Sequence, residues 1–400
     1  GDIKTSTFTA ESGKGYFCNT TGGSFEVDLP AGTAGAIVSI QDYNNTFDTN
    51  SLTVDPNGSE KINGGSAGGF VTLSTEGEGI TLVYVDSTVG WRSIQDNVFA
   101  DPGAVPAFVA ASGGTVTTVC TNFKVHTFTS PGTFTVSCAG NSAGSNTISY
   151  MIVGGGGGGG GDGGGGGGAG GFRESKAPTC SYTSSPIAAT GGVVVTAQGY
   201  PITVGGGGAG STPPFAPTPG VPGSPSSGFS LISTGGGGGH LQDGSPGGSG
   251  GGGGRDSPRA GGNGNTPSTS PPQGTAGGNG NSSGGGGGGG GATVAGAAPG
   301  TSNGGTGGTG GTTSINATPT TFAGGGGGAA TPAPNTRGSG GSGGGGTGAG
   351  TGPNLATAAT ANTGGGGGGG TGGPVSGCGP SLHLGAAGGS GIVIIRYKFQ

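Results

Sequence analysis

The chain has 400 residues, of which 114 are glycine and only 7% are charged, and its formal net charge is −5 at pH 7. It contains no basic stripe and no run of about 18 apolar residues, which argues against a nucleic-acid partner and against membrane insertion. The composition changes near residue 150, because 21 glycines lie in residues 1–150 and 93 in residues 151–400. Length and composition therefore predict more than one domain, the second poor in core-forming side chains.

Residues 1–100 are predicted to form a β-rich module. Short alternating apolar runs are separated by Gly, Asn and Pro turn signals, and no segment has a helical period. A small sandwich or an interlocked trimer would both suit this pattern. The only tryptophan, Trp91, is expected to anchor the core rather than to stack on a sugar. The predicted strands are 24–29, 36–40, 51–54, 70–73 and 80–85.

Residues 101–114 are rich in Pro and Gly and are predicted to be a linker. A hairpin is expected next, with strands 124–129 and 133–137 around a Ser-Pro-Gly turn. A second hairpin is predicted from strands 193–197 and 200–204. The strongly apolar strands 147–153 and 391–400 are expected to pair and to clamp the two ends of the glycine-rich region.

Residues 154–390 consist of glycine runs separated by loops rich in Pro, Ser, Thr and Asn. A mobile tether is one interpretation of this composition. The other is packed polyproline-II-like helices, which have three residues per turn and no internal hydrogen bonds. A helix surrounded on all sides must then be glycine throughout, as in 284–291 and 364–370. Runs with Thr at every third place, as in 304–311, suit a helix with one face in solvent.

The predicted fold is mostly irregular and all-β: an N-terminal small β domain, then a packed bundle of polyglycine II helices clamped by short β-strands. The domain bounds expected are 1–100 for the β-rich module, 101–114 for the linker and 115–400 for the glycine-rich domain. Within the last, 115–153 are opening strands, 154–390 are helices and loops, and 391–400 is the closing strand.

The sequence predicts no cofactor and no metal. The glycine runs lack the Lys-Ser/Thr pair of a phosphate-binding loop and the helix of a dinucleotide fold. None of the five cysteines forms a CxxC pair, which argues against zinc. Cys120 and Cys138 flank the first predicted hairpin and are candidates for a disulfide, as are Cys180 and Cys378, which lie in loops between glycine runs.

Five motifs stand out in residues 120–400: FTSPGTFTV at 128–136, YMIV at 150–153, AGGFRE at 169–174, YPITVGGGGAG at 200–210 and GSGIVIIRY at 389–397. They resemble the glycine-rich domain of phage tail-fibre and related virion proteins. The region is also similar in architecture and composition to the tail-fibre tip adhesins of T-even-like phages. The resemblance implies a virion tail-fibre location outside the cell, a host receptor that is an outer-membrane protein or a glycan, and assembly with other fibre chains as a homotrimer.

The favoured function is therefore receptor binding through loops held on a rigid scaffold. Loops that join antiparallel rods alternate between the two ends of the bundle, so one end is free to display them. The candidate tip loops are 174–186, 211–227, 240–246, 255–275, 331–337 and 374–384. The candidate receptor contacts are Tyr182, Phe215, His240, Arg255, Arg259, Arg337 and His383, each of which alternatively caps a rod or solvates a loop.

Two alternative functions remain open. A purely structural virion component, such as a fibre shaft or a capsid decoration, needs no recognition loops. A glycan depolymerase needs paired carboxylates. Because residues 151–400 contain only four acidic side chains and no histidine has an obvious triad partner, we expect no catalytic residues and no enzymatic activity.

Overall fold

The computed structural model describes residues 3–94, 106–141, 144–212, 218–256, 259–282, 285–301, 303–330, 336–350, 354–371 and 384–400. These residues form strands, turns and irregular segments without any α-helix, and so provide no helix with the length and hydropathy of a membrane span. The chain folds as two compact units. The N-terminal unit is Gly1–Phe108 with Gly140–Ser145, and the glycine-rich unit is Val109–Ala139 with Asn146–Gln400.

The N-terminal unit consists of two sheets that share one apolar core. One sheet has the order β1-β3-β5-β8-β9 and the other β2-β4-β6-β7, so the chain alternates between the sheets through its first six strands. All five predicted strands are present. The strands are β1 (Ile3–Lys4), β2 (Phe8–Thr9), β3 (Lys14–Cys18), β4 (Phe25–Asp28), β5 (Ile37–Asp42), β6 (Leu52–Asp55), β7 (Val71–Leu73), β8 (Gly79–Asp86) and β9 (Gly90–Ser93).

Trp91 is an anchor of this core, as predicted. Its side chain is fully buried and packs edge-on against Tyr84, with ring centroids 5.5 Å apart. The indole Nε1 donates a hydrogen bond of 3.0 Å to Glu60 Oε2, which satisfies its one polar group. Aliphatic side chains from both sheets, among them Leu52 and Leu82, complete the core.

The glycine-rich unit contains a seven-stranded sheet with the order β11-β12-β23-β14-β15-β16, and β17 pairs with β14. Three smaller sheets are β10-β13-β18, β19-β20 and β21-β22. The strands are β10 (Val109–Ser112), β11 (Thr115–Val119), β12 (Phe123–Phe128), β13 (Gly132–Ala139), β14 (Thr147–Val153), β15 (Phe172–Lys176), β16 (Ala189–Thr190), β17 (Val193–Val194), β18 (Gly199–Ile202), β19 (Ser226–Gly228), β20 (Leu231–Ser233), β21 (Gly311–Thr313), β22 (Thr320–Phe322) and β23 (Ile392–Lys398).

The predicted pairing of the two apolar strands is confirmed. β14 and β23 are antiparallel, with Met151 opposite Ile394. Both faces of this pair are buried, since Ile152 and Ile395 belong to one apolar cluster and Met151 and Ile394 to another. Burial of both faces explains why the two strands are continuous apolar runs rather than alternating ones.

Both predicted hairpins are wrong. β12 pairs with β11 and β23, whereas β13 pairs with β10 and β18, so the Ser-Pro-Gly turn connects two different sheets. Likewise β17 pairs with β14 and not with β18. β12 instead forms a local hairpin with β11, and its other edge pairs with the closing strand β23. In addition, residues 109–112, within the predicted linker, form β10.

The glycine runs and the mixed runs between the strands form extended segments that cross the unit in alternating directions. The strands lie at one end, here called the sheet end, and the opposite end is called the far end. The segments are 154–161, 163–171, 203–212, 218–225, 234–240, 244–248, 249–254, 259–264, 274–281, 285–291, 294–300, 303–310, 323–330, 336–341, 344–350, 354–360, 364–371 and 384–391.

Backbone hydrogen bonds between these segments repeat every three residues. In the segment 163–171, Gly166 and Ala169 both donate to the segment 285–291. Other residues of this segment that are three apart likewise share a neighbour, and each such set has a different one. Three more segments donate to its carbonyl groups, so this segment is surrounded by six others. The six are 154–161, 234–240, 249–254, 285–291, 323–330 and 364–371.

The positions of glycine follow this packing. Residues 285–291 and 364–370 are buried throughout, and a Cβ on Gly157 would overlap the carbonyl group of Gly237. In the mixed run 304–311, by contrast, Thr306 and Thr309 are exposed. The sequence prediction that uninterrupted glycine marks interior segments, and that regular Thr marks segments with a solvent face, agrees with these burial values.

Candidate functional site

The far end is the candidate functional site because sequence-diverse loops and charged side chains gather there. Its first turn joins the segments 154–161 and 163–171 through Asp162, whose φ of 56° is in the left-handed region. Aspartate tolerates this conformation better than most non-glycine residues. The turn therefore reverses the chain in a few residues while placing a carboxylate on the end face.

An arginine connects this turn to a second far-end loop. Arg255 Nη2 contacts Asp162 Oδ1 at 3.2 Å, and Arg255 Nε lies 3.7 Å from Asp256 Oδ1. The Arg255 side chain passes close to Gly163, where a Cβ would overlap it. The three charges are partly exposed, so their attraction orients the loops more than it stabilises the fold.

A second polar group surrounds His240. The Gln242 amide donates to His240 Nδ1 at 2.8 Å, so this nitrogen carries no proton, and the Ala260 amide donates to Asp243 Oδ1 at 3.0 Å. Burial lowers the pKa of His240; Asp243 opposes that shift and Arg259 adds to it. The Nε of Arg259 is buried without a hydrogen-bond partner among the described residues.

Charge is confined to the two ends of the segments. Among described residues from 154 to 391, the far end holds Asp162, Asp243, Arg255, Asp256, Arg259 and Arg337, and the sheet end holds Arg173, Glu174 and Lys176. The middle of every segment is uncharged. Recognition by charge or by hydrogen bonds from long side chains is therefore available only at an end face.

The structure brings four of the predicted contacts together at the far end. They are His240, Arg255, Arg259 and Arg337, and Arg337 is exposed near the start of the segment 336–341. Phe215 and His383 lie outside the described residues, as do 331–335 and most of 374–384. Residues 240–246, 255–256 and 259 lie at the far end, whereas residues 265–273 of the predicted loop 255–275 turn at the sheet end.

Tyr182 lies at the sheet end, as does the whole predicted loop 174–186, so its assignment as a tip contact is wrong. Its ring lies 5.3 Å from the Arg396 guanidinium, and burial raises its pKa well above the usual range. Arg396 Nη2 also donates to Ser181 O at 2.9 Å. The loop follows β15 directly and packs against the closing strand, which the sequence position alone did not reveal.

The predicted disulfide between Cys120 and Cys138 is absent. Both residues are exposed free cysteines: Cys120 lies in the turn between β11 and β12, whereas Cys138 lies in β13, a strand of another sheet. Cys180 is a buried free cysteine whose Sγ contacts the Arg396 carbonyl oxygen at 3.6 Å. Cys378 lies outside the described residues.

Asp162 was not predicted to belong to the site, and Asp243 and Asp256 lie in predicted tip loops but were not named as contacts. A signal was present, since Asp162 alone interrupts two long glycine runs and Asp256 adjoins Arg255. In the N-terminal unit, Glu26 and Asp55 form a half-buried group with Asp28, with ligand oxygens within 4.8 Å of one another. Burial raises the pKa of Glu26 and of Asp55 there. Nothing further in the structure assigns a cation to this group.

Comparison with known proteins gives one family match. The family model of a glycine-rich domain matches residues 127–398. No curated protein matches the chain.

Proposed function

The chain belongs to the glycine-rich domain family, and from that premise we propose that it is a bacteriophage receptor-binding tail-fibre protein. Its glycine-rich unit acts as a rigid block of polyglycine II helices that displays recognition loops at the far end. In this role it functions in the virion, outside the cell, together with other fibre chains in a homotrimer. It attaches the phage to an outer-membrane protein or a glycan and requires neither a cofactor nor catalysis.

The three-residue repeat of the backbone hydrogen bonds between segments supports the polyglycine II assignment. A helix with three residues per turn directs residues i and i+3 to the same neighbour, as Gly166 and Ala169 are directed to the segment 285–291. A β-strand alternates with a period of two and would serve only two neighbours. At about 3.1 Å per residue, a run of eight spans about 25 Å.

One observation carries the functional proposal: the strands close one end of the unit, while the diverse polar loops meet at the other. Asp162, His240, Arg255 and Arg259 come from three separate chain reversals that are far apart in sequence. A scaffold of fixed backbone bonds leaves such loops free to vary without loss of the fold. That separation of roles suits attachment to changing host surfaces.

Binding to bacteria tests the proposal. Fluorescently labelled full chain is mixed with a panel of bacterial strains, and bound protein is measured by flow cytometry. We expect saturable binding to some strains and at least a tenfold loss with a triple His240→Ala, Arg259→Ala and Arg337→Ala variant. Lys176→Gln, a charge change at the sheet end, should leave binding unchanged.

Two outcomes would contradict attachment through the far end. Equal binding by the triple variant and by wild type would remove the far-end loops from recognition. Binding to no strain would favour a purely structural virion role. Release of saccharide fragments from purified host glycan would instead identify a depolymerase.

A further inference from the structure

We propose a second binding site, for an anionic saccharide, in a cleft of the N-terminal unit. The cleft lies between β1, β2 and β3 and has a volume of about 490 Å³, within the usual range for small-ligand sites. It shares no residue with the far-end loops of the glycine-rich unit. Its lining residues are Lys4, Phe8, Thr9, Glu11, Lys14, Gly15 and Tyr16.

Two aromatic side chains give the cleft an apolar surface. The ring centroids of Phe8 and Tyr16 are 4.8 Å apart, and both rings are partly buried against the core of the unit. Partial burial fixes the rings while leaving part of each one accessible. Such surfaces accept the apolar C–H faces of a pyranose ring, whose hydroxyl groups then remain available at the rim.

The cleft also carries an available positive charge. Lys4 Nζ lies 5.1 Å from the Phe8 ring centroid and 5.9 Å from that of Tyr16. Among the described residues Lys4 has no ion-pair partner, whereas Lys14 pairs with Glu11 at 2.7 Å. One ammonium group is thus held beside the aromatic pair, and the lining keeps a net positive charge because its one carboxylate, Glu11, faces two lysines.

The placement of this charge differs from the rest of the unit. Residues 3–94 contain ten acidic residues and only four cationic ones, of which Lys4 and Lys14 both line the cleft. The cleft is therefore a local positive site on an acidic unit, and the surrounding negative charge disfavours non-specific anion binding. A ligand with one carboxylate or phosphate group on a sugar matches this arrangement.

Hydrogen-bonding groups at the rim complete the match. The Tyr16 hydroxyl accepts a hydrogen bond from the Glu11 amide at 2.8 Å, which leaves its own proton free to donate to a ligand. The exposed Thr9 hydroxyl and the Lys14–Glu11 pair lie nearby. Sugar hydroxyl groups, which both donate and accept, can bond to these groups without requiring a buried charge.

Isothermal titration calorimetry on the full chain tests this site with three probes: trigalacturonic acid, its neutral methyl ester and mannose 6-phosphate. We expect at least one anionic probe to bind and the methyl ester to bind at least tenfold more weakly, because the charge-assisted contact to Lys4 is lost. The affinity should also fall as salt rises. The two anionic probes distinguish a carboxylate from a phosphate.

Three variants locate the binding. Lys4→Gln should weaken binding of the anionic probe at least tenfold, and Lys4→Arg should restore most of it. The matched control is Arg92→Gln, which removes an exposed cation elsewhere in the same unit and should change nothing. Equal binding of the neutral ester, no binding of any probe, or unchanged binding by a folded Lys4→Gln variant would each overturn the proposal.

Discussion

The two units of this protein are stabilised by different parts of the chain. In the N-terminal unit, side chains such as Leu52, Leu82 and Trp91 leave water, and the backbone bonds serve to align two sheets around them. In the glycine-rich unit, most buried residues between the strands have no side chain, and the contacts are N–H to C=O bonds between segments. Substitutions on the surface of the N-terminal unit should therefore have small effects on its stability, whereas substitutions in its core should have large ones.

In the glycine-rich unit, a buried backbone replaces a buried apolar core, because nearly all of its polar groups are paired. The entropy lost on ordering glycine is high, so each of these bonds must form. One added methyl group then affects two segments at once. Substitutions that add atoms to the segments should therefore be more costly than substitutions that remove atoms from the apolar core.

The largest effect is expected for Gly167→Val in the central segment. A Cβ there overlaps the carbonyl groups of Gly157 and Gly158, which are backbone atoms that cannot turn away. We expect a destabilisation of more than about 5 kcal/mol, so that the unit does not fold. Limited proteolysis should then cleave within residues 154–390.

Gly206 provides the matched control. It lies in the outer segment 203–212, and a Cβ built on it meets no atom within 4 Å. Gly206→Val should therefore change the free energy of unfolding by less than about 0.5 kcal/mol. Equal sensitivity at positions 167 and 206 would contradict close packing of the segments.

The next largest effect is expected for Leu82→Ala in the N-terminal unit. Leu82 is fully buried, so the cavity and the lost transfer free energy should cost about 2–5 kcal/mol. Trp91 is the only tryptophan and is buried in the same core, so its fluorescence during urea unfolding measures this unit. The matched control is Val85→Ala, on the exposed outer side of β8, which should cost less than about 1 kcal/mol.

A smaller, pH-dependent effect is expected at His126. His126 is buried, with Nδ1 2.7 Å from Gly113 O and Nε2 3.0 Å from the Tyr397 hydroxyl, and burial lowers its pKa. The unfolded chain therefore binds a proton more readily than the folded one. Stability should be complete above about pH 6.5 and fall as the pH decreases below it.

Urea unfolding of the glycine-rich unit between pH 5 and pH 8 measures this dependence. His126→Gln should lower stability at pH 8 but flatten the pH dependence. His240→Gln is the comparison, because burial lowers the pKa of that histidine too but the side chain is less enclosed. A slope that survives in His126→Gln and disappears in His240→Gln would contradict the assignment.

The smallest effect is expected for Asp162→Asn at the far end. The ion pair with Arg255 is partly exposed, and its loss should cost less than about 1 kcal/mol. Asparagine also tolerates the left-handed conformation of residue 162. Thermal unfolding should therefore be nearly unchanged, and a loss greater than 2 kcal/mol would show that the end face contributes to the fold.

The sequence predicted the all-β character and the positions of the strands better than it predicted partners between short strands. Apolar periodicity located β4 to β8, and the matched apolar runs 147–153 and 391–400 predicted their own pairing. Partners of β12, β13, β17 and β18 depend on which surfaces become buried at long range, and local turn residues carry little information about that. For this reason both hairpins, and with them the Cys120–Cys138 pairing, were wrong.

Prediction of the site depended on whether an odd or an even number of segments crosses the unit before each loop. Whether a loop lies at the far end depends on how many crossings precede it, and the strands after β15 shift that count. Tyr182 follows only two crossings, because the turn at Asp162 already reverses the chain, and it therefore lies at the sheet end, whereas His240 and Arg255 lie at the far end as predicted. The Asp162–Arg255 contact joins loops 93 residues apart and could not be read from spacing.

The three-residue repeat of the backbone bonds also restricts how such a chain can change in length. Removing one residue inside the segment 163–171 would move every later amide by one place in the three-residue repeat, so that each amide would face the wrong neighbour. Whole turns can be gained or lost without that error, and reversals at the end face obey no such rule. Length variation among related chains should therefore occur in multiples of three within the segments and freely in the loops, and aligned glycine-rich domains can be sorted by that signature.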